Sequence, residues 1–457
     1  MAHHPLATTL LTVLVVLFLA AAVLVLGACV SDASDTEPPS EERARVPGLH
    51  DTLPGLPDAS TRRPRYPDLA DPVPHARDES PGASDADRSV DDSPGLLAMP
   101  RRGEIDPPTD PQIEALLDSL SLRRRIGQRF IAHVPGNHVT QGAGSDIVDV
   151  APAGFILYPW NVASAEGARR LVDGLQFVAS VVTPGISLLI AADQEGGRVS
   201  TFRFPEFVQI PSAGIIGRFA DPALVRSAAY LTSRQLREIG VNMNLAPVLD
   251  LFGRADATII GDRSYGADAA TVAGFVRPFL DASREAGVIA TAKHFPGHGV
   301  TTVDSHLELP IVGVSRAELD TSHLVPFVEA IRAGVPAIMT GHLLFEQIDG
   351  YFPVTLSRIF LHGILRGELG YEGVVVTDGL EMAAIREHFS LEETLVRLFR
   401  YDVDLILLYD SYDVVDLVDT VELLLAQGRI SEDDINRGVR RVLRMKREYG
   451  LIDGEAL

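Results

Sequence analysis

Eight short apolar runs, regularly spaced, constrain this chain more than anything else in it. They are RFIAHV (129–134), GFILYP (154–159), SLLIAAD (187–193), VNMNLAPVLDL (241–251), VIATAKHF (288–295), AIMTGHL (337–343), GVVVTDG (373–379) and VDLILLY (403–409). Most are too short for a helix, and their successive apolar positions suit strands buried on both faces. Between most of them lies a stretch with helical spacing, such as PALVRSAAYLTSRQLREIG (222–240) or ELDTSHLVPFVEAIRAG (318–334). Such alternation means a parallel sheet, and eight units in the roughly 350 residues from Pro111 onward fit a (β/α)8 TIM-type barrel better than an open sheet. The last segment, SEDDINRGVRRVLRMKREYG (431–450), opens with a capping box at Ser431 and Asp434, stops at Gly450 and reads as a closing helix. Residues 111–457 are therefore expected to form one barrel domain.

The chain before it reads differently. Residues 1–30 hold no Lys, Arg, Asp or Glu, and Leu10–Leu26 is apolar except for Thr12, as in an export or anchor segment. It runs into LGAC (26–29), where Gly27 and Ala28 precede Cys29, the only cysteine. That resembles a bacterial lipobox, with Cys29 as the lipidated residue; an uncleaved membrane anchor is the alternative. Either way the rest is expected outside the cytoplasm, tethered to a membrane, and one cysteine excludes an internal disulfide framework. Residues 30–110 hold 14 of the 30 prolines and 18 Asp/Glu against 9 Lys/Arg, with little apolar periodicity, so a disordered acidic linker is expected. A net charge of −22 argues against nucleic acid as a partner. A monomer is expected.

Nearly every apolar run ends in polar residues: Asp193 with Glu195, Asn244 with Asp250, Lys293 with His294, His342, and Asp378. In a barrel, C-terminal strand ends carry the active site, so these side chains are expected to converge on one pocket. Asp378 follows three valines and precedes a glycine. A carboxylate there suits a nucleophile or the stabiliser of a cationic transition state, although a helix N-cap would also explain it. Arg198 in DQEGGRV and Arg263 in IIGDRSYG add forked donors suited to hydroxyl-rich or anionic ligands.

The stretch KHFPGHGVTTVDSH (293–306) adds three histidines, a lysine and an aspartate on a loop that glycine and proline keep from being helical. A histidine titrates near neutrality, and a carboxylate on one ring nitrogen leaves the other for a substrate, so Asp304 and His306 form a candidate acid/base pair on a pliable loop. His298 reads as structural. A metal site is the rival reading, with His294, His298, Asp304, His306, His342 and Asp378 as ligands. Lys293 would repel the cation and no helical HExxH is present, so neither metal nor cofactor is expected.

Together DQEGGRV, NLAPVLD, GDRSYG, KHFPGHG followed by DSH, and TDGLEM, in that order, resemble glycoside hydrolase family 3 in its β-N-acetylhexosaminidase branch. The resemblance covers roughly residues 111–457 and implies a (β/α)8 barrel, here a single catalytic domain. It implies that Asp378 is the nucleophile and His306 the acid/base assisted by Asp304, with Asp193, Arg263, Lys293 and His294 binding N-acetylglucosamine and Arg198 available beside them. The implied reaction is retaining hydrolysis of a terminal β-linked amino sugar, from a muropeptide or related glycan. Transfer of the sugar to phosphate, and a non-catalytic sugar-binding lipoprotein, are the alternatives. A β-glucosidase-type acid from an added C-terminal domain is not expected, since the chain ends at Leu457. Family members often carry an arginine eight positions after the aspartate of DQEGGRV, where this chain has Thr201, so that sugar contact is expected either to be lost or to be taken over by Arg203 or Arg198.

Overall fold

The computed structural model describes residues 110–252, 259–299, 301 and 304–453. The signal or anchor segment, Cys29 and the acidic linker lie outside the described residues. Eight strands follow one another around a ring: β1 (Phe130–His133), β2 (Gly154–Ile156), β3 (Leu189–Ala192), β4 (Met243–Asn244), β5 (Ile289–Phe295), β6 (Ala337–Thr340), β7 (Val374–Thr377) and β8 (Ile406–Leu407). Each falls within one of the eight apolar runs, and all neighbours pair in parallel. The ring closes between β7 and β8, where Val376 bridges to Leu405 and Thr377 N–H donates to the Leu405 carbonyl at 3.0 Å. The expected (β/α)8 barrel is the fold.

Strand periodicity of two divides the core. Ile131, Ile156, Leu189, Ala191, Met243, Ile289, Met339, Val376 and Leu407 fill the lumen, while their neighbours Phe130, Ala132, Phe155, Ile190 and Val375 pack outward against the helices. The closing helix, Glu432–Glu448, starts at the expected capping box: Ser431 Oγ accepts from Asp434 N–H and Asp434 Oδ2 accepts from Ser431 N–H. Its Val442 and Met445 join the lumen cluster, so this helix plugs the barrel floor.

The helix expected over 318–334 is broken instead. A turn at Arg316–Glu318 widens into a π-turn at Leu319–His323 before a regular helix resumes at Val325–Arg332. Pro326 has no N–H for an i−4 carbonyl, and the chain ahead of it closes with Leu324 N–H on the Leu319 carbonyl at 2.9 Å.

Candidate active site

The C-terminal end of the barrel gathers charged side chains above the apolar residues that fill the middle of the lumen. After β3 the chain turns through a two-stranded hairpin, Gln194–Gly196 against Val199–Ser200. Asp193 and Glu195, two positions apart on an extended chain, meet the same partner. Lys293, buried at the end of β5, reaches Asp193 Oδ1 at 2.6 Å and Glu195 Oε1 at 2.7 Å. Arg263 clasps Glu195 from the other side with two bonds of 2.8 Å. Burial pushes the Glu195 carboxyl up, but Lys293 and Arg263 outweigh it and hold it at about 2. Burial likewise disfavours the Lys293 cation, and the two carboxylates more than offset that, raising its pKa. The cluster therefore keeps its charges at neutral pH.

His294 lies next to Lys293, and adjacent strand residues ordinarily face opposite ways. Here the register of β5 against β6 shifts between Ala292 and Phe295, and both side chains are buried in the same polar cluster. His294 Nδ1 is 2.6 Å from Asp250 Oδ2, and its Nε2 is 3.4 Å from Arg263 Nη2. Asp250, wholly buried, also accepts the backbone N–H groups of His294 and His298 at 3.1 and 2.6 Å. Burial would raise the Asp250 carboxyl; the pairing with His294 instead brings it to about 2. Asp250 thus orients the imidazole and fixes the start of the loop beyond.

The described start of the loop expected to be pliable is packed at Gly299. A Cβ on Gly299 would fall 1.5 Å from the Leu251 carbonyl oxygen, so glycine is required there by close approach rather than for mobility. His298 is buried, with Nε2 3.3 Å from Ser305 Oγ and burial lowering its pKa to about 4, in keeping with its structural reading.

Asp378 stands just past β7. Its backbone N–H donates to the Thr340 carbonyl at 3.2 Å, and Oδ1 accepts from Gly379 N–H at 2.9 Å. Burial raises its pKa, but the electrostatic pull of His294, His342 and His306 and the Gly379 bond together lower it to about 2. A carboxylate kept ionised at the C-terminal end of the barrel can attack an electron-poor carbon.

Beyond the packed loop base, Asp304 Oδ1 accepts from His306 twice, from the backbone N–H at 2.9 Å and from ring Nδ1 at 2.7 Å. Burial opposes the Asp304 charge, and these two bonds outweigh it, lowering its pKa. The His306 side chain is 67% exposed, and Nε2 has no partner among the described residues. The intervening Ser305 is buried, and its carbonyl accepts from Ala384 N–H at 3.3 Å, tying this loop to the segment that follows Asp378.

Two strand-end residues do not converge as expected. Asn244 is turned onto Gln194, accepting its N–H and donating to its carbonyl, both at 3.1 Å. Buried His342 has Nδ1 2.8 Å from Thr355 Oγ1 and Nε2 2.9 Å from the Gly379 carbonyl, so both ring nitrogens are taken up in positioning the Asp378 segment. Arg198 is also displaced from the cluster. Its guanidinium bonds Asp262 Oδ1 at 3.0 Å and the Ile259 carbonyl at 2.6 Å, bracing the turn that presents Arg263. Thr201 donates to the Asp193 carbonyl at 3.0 Å, while Arg203 lies on the hairpin turn, bonded to the carbonyls of Gly197 and Arg198. Among the described residues no group of three or more His, Cys, Asp or Glu is arranged to hold a metal ion.

Residues 121–445 match the model of the glycosyl hydrolase family 3 N-terminal domain. The chain belongs to glycosyl hydrolase family 3. It is 38% identical over 271 residues to a β-hexosaminidase of Alkalilimnicola ehrlichii, 58% of this chain and 76% of that one. It is 34% identical over 280 residues to β-hexosaminidase LpqI of Mycobacterium tuberculosis, 59% of this chain and 71% of that protein. Among solved structures, a family 3 β-N-acetylglucosaminidase from Paenibacillus superposes with a TM-score of 0.70 at 38% identity, covering 73% of this chain but 63% of its own. As a family 3 member the chain is a glycoside hydrolase. Within that frame, Glu195 and Asp250 are the site residues whose weight the motifs understated. Both stand inside them, Glu195 sharing a face with Asp193, and only the fold reveals that one clamps Lys293 with Arg263 and the other aligns His294.

Proposed function

We propose that this glycoside hydrolase is a retaining β-N-acetylhexosaminidase that releases terminal β-linked N-acetylglucosamine. The observation that carries the reading is the pair of hydrogen bonds that Asp304 Oδ1 accepts from His306: the backbone N–H bond holds the residue, and the Nδ1 bond fixes the ring and leaves Nε2 to the substrate, on a loop tied to the Asp378 segment. Asp193, Lys293, Arg263 and His294 receive the terminal sugar through its hydroxyl and acetamido groups, and Arg198 positions Arg263. Asp378 attacks the anomeric carbon as the bond to the leaving oxygen breaks and His306 Nε2 delivers a proton to that oxygen. In the second half, neutral Nε2 takes a proton from water, and the oxygen so activated displaces Asp378. Retaining enzymes ordinarily use two carboxylates; in this reading the imidazole serves as the second group.

The finer reading is that the enzyme is exported, held at a membrane through Cys29 or an uncleaved anchor, and acts on peptidoglycan fragments. It is supported by the apolar run Leu10–Leu26, the LGAC sequence and the acidic linker. Incubating the full chain with cell-wall digests, with and without phosphate, and identifying products by mass spectrometry tests the whole proposal. Free N-acetylglucosamine in both conditions is expected; sugar 1-phosphate would replace hydrolysis with phosphorolysis, and the absence of released amino sugar would overturn the reading.

A further inference from the structure

Around the mouth of the barrel, the loop bearing His306 follows β5. On the opposite side of the ring, β2 and β8 flank β1, and their C-terminal extensions carry three aromatic rings that no step above uses. Tyr158 and Trp160 follow β2, stacked with centroids 4.5 Å apart and planes at 18°. Tyr409 follows β8 and meets both edge-on, at 4.8 Å from Tyr158 and 5.7 Å from Trp160. Tyr158 is buried beneath, while Trp160 is 52% and Tyr409 41% exposed. One face of the indole is thus buttressed and the other open to solvent.

The rings are held in place before any ligand arrives. Trp160 rides on the 3-10 turn Pro159–Asn161, whose Asn161 accepts Tyr158 N–H at 2.8 Å and donates to the carbonyls of Val134 and Gly136 at 2.7 Å. Tyr409 N–H is gripped by both carboxylate oxygens of Glu381, each at 2.9 Å. Glu381 lies three residues beyond Asp378, so the platform is tied to the segment bearing the nucleophile. An exposed, pre-ordered aromatic face at a polar pocket mouth suits the apolar C–H face of a pyranose.

We propose that Trp160, buttressed by Tyr158 and Tyr409, is the stacking platform for the sugar on the leaving-group side of the cleaved bond, so that the enzyme favours glycans of two or more units over small aglycones. The inference rests on the glycosidase reading above. A terminal sugar held by Lys293 and Arg263 directs its leaving group outward, between the His306 loop and this wall.

Trp160 is the only tryptophan in the chain, so its fluorescence reports this site alone. In full-chain Asp378→Asn, N,N′-diacetylchitobiose should change the emission saturably while N-acetylglucosamine does not. In the active enzyme, Trp160→Ala should lower kcat/KM for chitobiose about 10-fold through KM and leave kcat/KM for N-acetylglucosaminyl fluoride, which has no second sugar, within about 2-fold. Trp160→Phe should recover most of the loss. Equal losses on both donors, or emission that ignores chitobiose, overturn the platform. A wild-type enzyme that consumes neither donor overturns the glycosidase reading instead, and the fluorescence titration then decides the platform by itself.

Discussion

Two buried charge networks lie at opposite ends of the same barrel, and they differ in what they leave undone. At the floor, Asp404 accepts from Arg366 at 2.6 Å, Arg441 at 3.1 Å and Val375 N–H at 2.8 Å. Asp402 there pairs with His362, Arg437 and Arg441, and Arg129 fans onto the carbonyls of Val403, Asp404, Asp434 and Ile435. Both oxygens of each of these carboxylates are engaged. At the mouth, Glu195 and Asp250 are engaged as fully, but the Asp378 carboxylate accepts one hydrogen bond and His306 has one open nitrogen among the described residues. Closed networks fasten the N-terminal strand ends to the closing helix; the incomplete one is where a reacting sugar supplies the missing partners.

The sharpest way to break this comparison is Asp378→Asn, which keeps the Gly379 contact but not the nucleophile. Turnover of an aryl β-N-acetylglucosaminide should fall about 10^4-fold or more with the melting temperature nearly unchanged, as checked by initial rates and calorimetry. Asp404→Ala inverts the outcome. It strands the Arg366 and Arg441 cations in the core and should cost about 3–5 kcal/mol in denaturant unfolding, with kcat of the folded fraction near wild type. If Asp404→Ala reduced kcat without destabilising the chain, the floor network would have a functional share. His306→Ala should lose about 10^2–10^4 on natural glycans but far less with a leaving group that needs no proton, such as 2,4-dinitrophenolate. Equal losses on both would end its role as the acid.

The barrel was legible because eight apolar runs obeyed one period, and the strand-end position of Asp193, Lys293, His294 and Asp378 followed from topology alone. What the sequence concealed depends on side-chain direction. Nothing in VNMNLAPVLD distinguishes Asn244, which holds the hairpin, from Asp250, which orients His294. His342 reads like any other strand-end polar residue until Thr355, from a different segment, occupies its second nitrogen. Arg198 and Arg263 look alike in their glycine-bounded loops, and only the pairing of Arg198 with Asp262 marks it as a brace. The floor network was invisible for a further reason: its arginines are scattered over more than 300 positions, from Arg129 to Arg441, with no local motif.

The smallest expected effect tests whether every buried charge at the floor is compensated. Lys446 of the closing helix is wholly buried, yet among the described residues its Nζ meets only a neutral acceptor, Gln128 Oε1, at 3.0 Å. Burial lowers its pKa from 10.5 to about 7. Between pH 7 and about 10 the unfolded chain therefore binds a proton that the folded chain does not, so this residue makes stability rise with pH across that window. Below pH 7 both states are protonated and the folded one carries the full desolvation cost. Lys446→Met removes the titration but leaves Gln128 without its donor, so the net gain at pH 6–7 should be on the order of 1–3 kcal/mol, shrinking to nothing or reversing by pH 10. Paired denaturant unfolding at pH 6.5 and 9.5 reads the difference. A variant no more stable at pH 6.5, or one whose advantage grows with pH, would mean that Lys446 is compensated as completely as its arginine neighbours.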